Sequence, residues 1–332
     1  MNDGFEDYRL IDKELEAIGT STFRKAPFTG WSQVGNHFES HLSRYNGEYL
    51  ESDYFYKAGR TFLHFTKIQF LFSILNARAF RFYDLNSSTD PSEYEYAASI
   101  LKIRREEINS LKSNVFTFSF CPIDELTNDY VWQHYGSNYA GAAIIFEIVN
   151  DPAKWHNYHM SQVHYKVPEP FSDYSLKLEE LSKSKNISAR IDLSRLLAFH
   201  KQEKFNNEKE VRLLTYNPFN TFYEKMKFSK FDYRLEDSRN RFTKYFEYPL
   251  WVDNSSNMLK SLSPEIDRTS KFNEQYFEDK PKIIIKDIRV GYNAGLNYEE
   301  FRTFREEIEM IIAYNYGYHV KVSPDLIEPQ RG

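Results

Sequence analysis

Cysteine is almost absent from this chain: of 332 residues, one, Cys121, is a cysteine. A single thiol excludes a disulfide framework within the chain and any zinc site built on cysteines. It fits a reducing, cytoplasmic setting. Glycine is scarce too, at 12 residues. No glycine-rich phosphate loop and no GxSxG elbow can be found, so Rossmann and P-loop readings fail. No apolar run approaches the roughly 20 residues that a membrane helix needs. The opening MNDGFEDYRLIDKELEAIG is acidic and broken by charges. A signal peptide is therefore not indicated, and no membrane partner is expected.

A basic excess is also missing. Lys and Arg number 43 against 48 Asp and Glu, for a formal net charge of −5. A nucleic-acid binder ordinarily carries a basic face, so this balance weighs against a nucleic-acid-processing effector. His134, His156, His159 and His164 lie close together in sequence, but no cysteine or HExxH arrangement accompanies them, and no metal is expected. There is no internal repeat, no low-complexity tract and no convincing linker. One domain over residues 59–332, preceded by an N-terminal extension over 1–58, is the expected organisation.

What the chain has in abundance is aromatic side chains, 28 Phe and 25 Tyr. Phe62 to Tyr83 reads as strand, helix and strand: alternation over 62–66, apolar residues at helical spacing (Ile68, Leu71, Phe72, Ile74, Leu75), then a second run from Ala79. A turn at Asp90-Pro91 precedes a helix expected over 93–111, and a strand follows over 114–121 with Thr117 and Ser119 on one face. A short helix over 129–136 leads to AGAAIIFEIV, a central strand. A strand over 163–167, a loop over 169–187, a helix over 191–204 and a strand over 205–215 come next. Residues 217–280 read as irregular. A strand over 282–292, an amphipathic helix over 297–313 and a strand over 319–322 close the chain. Strands and helices without strict alternation predict an α+β fold.

Two features carry chemistry. Glu208, Glu210 and Arg212 alternate along one expected strand. Such a pattern is common on a solvated face. Its functional reading is a pair of carboxylates in a cleft, one steadying an oxocarbenium ion and holding a ribose hydroxyl, the other activating a nucleophile. Arg212 would orient or neutralise them. His64 and Thr66 end the first strand as polar residues among aromatics, where a core role competes with ribose binding.

The ordered stretches HFTKIQFLFSILNARAFRFYDL, STDPSEYE, FTFSF, VWQHYGSNYAGAAIIFEI, NNEKEVRLL and KDIRVGYNAG resemble a bacterial domain-of-unknown-function family, number 2971. The resemblance covers about residues 61–322. Thr89 departs from the family's usual Asn before Asp-Pro, and Phe205-Asn206 stands where a Trp is common. The family in turn resembles the ADP-ribosyltransferase superfamily, whose members present a His or Arg strand, a Ser/Thr or Tyr strand and a Glu strand in that order.

That second resemblance implies a split two-sheet core holding NAD as substrate, with no metal. His64, flanked by Phe65 and Thr66, would bind ribose. Thr117 and Ser119 would support the nicotinamide side, and Tyr83, Tyr135 or Trp132 would stack on its ring. Glu210 would bind the nicotinamide ribose and stabilise its cation, Glu208 would deprotonate the acceptor, and Arg212 would lie beside them. The family context implies a toxin or anti-phage effector. The acceptor, whether protein, nucleic acid, small molecule or water, is left open. The competing expectation is a regulatory module that binds a protein partner through its aromatic surface and turns over nothing.

Overall fold

The computed structural model describes residues 10, 11, 13–15, 17, 18, 28–42, 52–87, 92–100, 105–155, 157–166, 169–191, 197–216, 232–236, 241–253 and 274–324. They form a mixed α+β fold with two sheets. The smaller sheet joins β1 (Phe28–Val34), β2 (His37–Leu42) and β8 (Ser188–Ile191). β1 and β2 form a hairpin that turns at Gly35, whose φ of 59° suits glycine. β2 and β8 are parallel.

The larger sheet has ten strands. In chain order they are β3 (Thr61–Thr66), β4 (Ala79–Asp84), β5 (Val115–Pro122), β6 (Ala142–Ile148), β7 (Tyr158–Gln162), β9 (Val211–Tyr216), β10 (Asp232–Glu236), β11 (Arg241–Pro249), β12 (Ile283–Val290) and β13 (Lys321–Pro324). The helices are α1 (Ile68–Ala77), α2 (Ser92–Ile100), α3 (Arg105–Asn114), α4 (Asp129–His134), α5 (Glu169–Lys185) and α6 (Tyr298–Tyr316).

β5 is where this sheet forks. One edge of β5 pairs with β9 from Val115 to Phe120. The other edge is divided: β4 takes Phe116 and Thr117, while β3 takes Cys121 and Pro122. β3 carries β6, β12 and β13 away on one branch, and β4 carries β11 and β10 away on another. Between the branches, the stretch Phe118–Phe120 faces an opening.

The phenylalanines fill the interior behind it. Phe62, Phe80, Phe82, Phe116, Phe118, Phe120 and Phe146 are all buried in one cluster, with Phe80 stacked on Phe118 at 4.4 Å. Such ring pairs contribute about 0.5–1.5 kcal/mol each beyond area burial. A second cluster gathers Ile11, Leu15, Phe38 and Tyr54 with Leu178, Leu181 and Leu197–Phe199. Its first four members come from residues 1–58, so the start of the chain packs against the segment that precedes β9.

Several expectations are corrected. The loop expected over 169–187 is the helix α5, because its polar residues pair along the helix, Asp173 with Lys177 and Glu179 with Lys183, while Leu178 and Leu181 turn inward. The helix expected over 191–204 falls in part outside the described residues: Ile191 ends β8, 192–196 are not described, Leu197 is helical, and the chain then turns to His200, which bridges His164. The strand expected over 163–167 lies earlier, as β7, and Val167 falls outside the described residues. The single helix expected over 93–111 is represented by α2 and α3, and Thr89 to Pro91 lie outside the described residues. Within the region read as irregular, β11 pairs with β4 from Tyr245 to Pro249. The strand expected from 205 starts at Val211, preceded by a 3-10 turn over Glu203–Glu208 and by Lys209 at φ 47°.

Candidate functional site

A cavity of about 270 Å³ opens in the fork. His64 and Phe65 of β3, Tyr83 of β4, Thr117 and Ser119 of β5, Tyr135, Glu208, Glu210 and Arg212 all line it. A second cavity of about 150 Å³ adjoins it, lined by Thr66, Phe70, Ser73 and Ile74. The two share His64, Arg81, Tyr83 and Phe118.

His64 occupies the divided edge of β5. Its ring is half-buried and packs on Phe118 and Phe80 at 4.9 and 5.3 Å. Nδ1 lies 3.3 Å from the carbonyl oxygen of Ser119. A carbonyl can only accept, so Nδ1 carries the hydrogen and Nε2 of the neutral ring is an acceptor. Burial lowers the ring's pKa to about 4, with the bond to Ser119 opposing the shift. His64 is thus neutral at physiological pH.

The opposite wall is ionic. Glu208 ends the 3-10 turn, Lys209 reverses the chain in the left-handed region, and Glu210 follows just ahead of β9. This reversal brings the two glutamates to a single ammonium: Lys201 Nζ lies 2.6 Å from Glu208 Oε2 and 2.6 Å from Glu210 Oε2. Arg212 donates to Glu210 through Nε at 2.6 Å and Nη2 at 3.1 Å. Its remaining amino group donates to the carbonyl of Ala198. Tyr135 donates its hydroxyl to Glu208 Oε1 at 2.6 Å. All four charged residues are buried.

Burial alone would raise the Glu210 carboxyl, but Arg212 and Lys201 overcome it and hold the pKa at about 2. Around the network, burial pushes the Tyr135, Tyr165 and Cys121 protons well above their ordinary values, so these groups remain protonated. Cys121 is accordingly an inert thiol. A carboxylate offers about four acceptor positions. Glu208 has one occupied on each oxygen, and Glu210 keeps room on Oε1.

Tyr135 is placed by a strained turn. Ser137, Asn138 and Tyr139 run consecutively at φ 53°, 53° and 63°, a conformation that L residues visit rarely and singly. Tyr139 stacks on Trp132 and donates to Asp129, which holds the turn. Gly141 and Gly291 permit its close packing: a Cβ on Gly291 would stand 2.1 Å from the Tyr139 carbonyl oxygen. Trp132 is 1% exposed, and its indole nitrogen donates to the carbonyl of Leu126. It supports the turn from the core and lines neither cavity. Tyr135 is 43% exposed, with its hydroxyl anchored, so its ring face is open.

Nine of the eleven residues singled out from the sequence therefore meet at the larger cavity. Thr66 lies at the smaller one and Trp132 in the core. Sequence reasoning missed Lys201 and Arg81. No local period links Lys201 to Glu208, seven residues later. Arg81 stood in plain view between Phe80 and Phe82, where its charge in an apolar strand is the available signal.

The model of the family described as "Protein of unknown function (DUF2971)" matches residues 131–213. That span includes Tyr135, Lys201, Glu208, Glu210 and Arg212, and stops short of His64 and Ser119. No curated protein and no solved structure matches the chain. The match supports the domain-of-unknown-function family to which the motifs point.

Proposed function

We propose that the chain is an NAD-consuming enzyme of the ADP-ribosyltransferase kind, which breaks the bond between nicotinamide and ribose. The observation that carries this reading is the facing pair of walls in one cavity, neutral His64 on one side and Glu208 with Glu210 on the other. Two adjoining cavities with Arg81 between them suit a ligand of two nucleoside halves joined by pyrophosphate. Nε2 of His64 accepts from a ribose hydroxyl, and the open ring face of Tyr135 or Tyr83 stacks on the nicotinamide.

As the C–N bond breaks, its electron pair leaves with nicotinamide, which departs neutral, and positive charge develops on the ribosyl carbon. Glu210, held ionised by Arg212 and Lys201, faces that charge and accepts from a ribose hydroxyl. Glu208 takes the proton of the incoming acceptor, water or a hydroxyl or amine of the target, as it bonds to the same carbon. A toxin or anti-phage effector is the biological role that this chemistry would serve.

Nicotinamide release from labelled NAD in the presence of a cell lysate tests the reading. Wild-type protein is expected to release it. Glu210→Gln, which keeps shape and loses charge, is expected to be slower by about 10²–10³-fold. Full turnover by Glu210→Gln, or none by the wild type, would overturn the proposal.

A further inference from the structure

Two buried carboxylates held against one ammonium form an unstable arrangement without that ammonium. Glu208 and Glu210 both contact Lys201 Nζ at 2.6 Å. Like charges this close cannot both remain ionised in a buried setting without compensation. Arg212 compensates Glu210. Among the described residues, the Glu208 carboxylate otherwise accepts from the Tyr135 hydroxyl, and the Cys121 thiol donates to the Glu208 backbone carbonyl; neither group carries positive charge. Tyr165 accepts from the Glu210 amide, and neighbouring His200 is kept neutral by burial.

We propose that Lys201 is a positioning residue: its ammonium keeps the Glu208–Glu210 pair doubly ionised, and the N-terminal part of the chain sets its place. The second half follows from how the segment is held. Lys201 N donates to the carbonyl of His164 at 2.9 Å, and His164 N to that of Phe199 at 2.7 Å. His200 Nε2 pairs with the Tyr54 hydroxyl at 2.9 Å. Leu197–Phe199 are buried with Ile11, Leu15 and Phe38. Lys201 thus reaches the fork from the second hydrophobic cluster, not from the forked sheet. What this positioning means for turnover rests on the reading of the two glutamates as the working pair; the ionisation of the pair does not.

The test is a carboxyl titration by NMR on protein labelled with ¹³C at the glutamate side chains, the two signals being assigned with Glu208→Gln and Glu210→Gln. In Lys201→Met, one of the pair is expected to take up a proton with its midpoint raised by more than about one pH unit. Lys201→Arg is expected to restore a titration close to wild type. Tyr54→Phe is expected to shift the same signals in the same direction, by less. An unmoved midpoint in folded Lys201→Met would overturn the proposal.

Should Lys201→Met fail to fold, the double variant Lys201→Met/Glu208→Gln decides. It lacks one of the competing charges and is expected to fold and melt above the single variant. A double variant no more stable than the single one would overturn the role. Neither readout involves NAD. A wild type that releases no nicotinamide would sink the proposed reaction and leave this inference standing, and the reverse outcome would do the opposite.

Discussion

His64 and His200 each hold a neutral ring inside the protein, His64 at a pKa of about 4 and His200 at about 3, in both cases chiefly because burial disfavours the charged form. Burial lowers His164 in the same direction. Unfolded histidine titrates near 6.5. As pH falls below that value, the unfolded chain binds protons that the native rings refuse, and stability drops. The histidine contribution is fully present above about pH 6.5 and is withdrawn on the way down toward pH 4 to 3. Glu210 acts later: its native pKa of about 2 adds stability that is lost between about pH 4.5 and 2. Urea unfolding at pH 7 and about 4.5 is expected to show a loss of roughly 2–3 kcal/mol for His200. The loss is smaller for His64, part of whose ring reaches solvent. Equal stability at both values would contradict the neutral assignments.

Among the elements, the turn between α4 and β6 concentrates the strain of the site. Three consecutive left-handed residues are kept in place by Trp132, Asp129 and the close approach of Gly291. Gly291→Ala drives a methyl group into the Tyr139 carbonyl, and a cost of about 1–3 kcal/mol is expected. Thermal melting measures that cost. Since the turn also places Tyr135 on Glu208, turnover is expected to fall with it, and a variant with unchanged melting would show that the turn is not tightly held.

The strand–helix–strand unit from Phe62 to Tyr83 is legible in the sequence because each piece follows its own local period. The Glu208–Arg212 stretch is legible as chemistry but not as geometry. Alternation predicts a strand, whereas the left-handed Lys209 folds the two glutamates onto Lys201. A reversal of one residue in φ leaves no trace in the pattern of charges. α5 is obscured for a different reason: its buried apolar side is narrow, Leu178 and Leu181, and the rest of its surface is polar, with charge pairs spaced along the helix.

At the scale of the whole molecule, the α+β class follows from the order of elements, but the fork does not. It depends on β5 meeting β9 on one edge and both β3 and β4 on the other, pairings that join residues far apart in the chain. The route of the N-terminal residues to the Lys201 segment is likewise a matter of tertiary packing, carried by apolar side chains with no shared motif. The candidate site is thus legible as a set of residues, and its arrangement is supplied by topology.

The central claim is that His64 and the glutamate pair hold one ribose between them. A crystal structure of the protein with a non-cleavable NAD analogue tests it most directly. The nicotinamide ribose is expected in the larger cavity, with hydroxyls bonded to Nε2 of His64 and to Glu208 or Glu210, and the nicotinamide ring on Tyr135 or Tyr83. An analogue bound outside the fork, or a cavity left empty at saturating analogue, would contradict it.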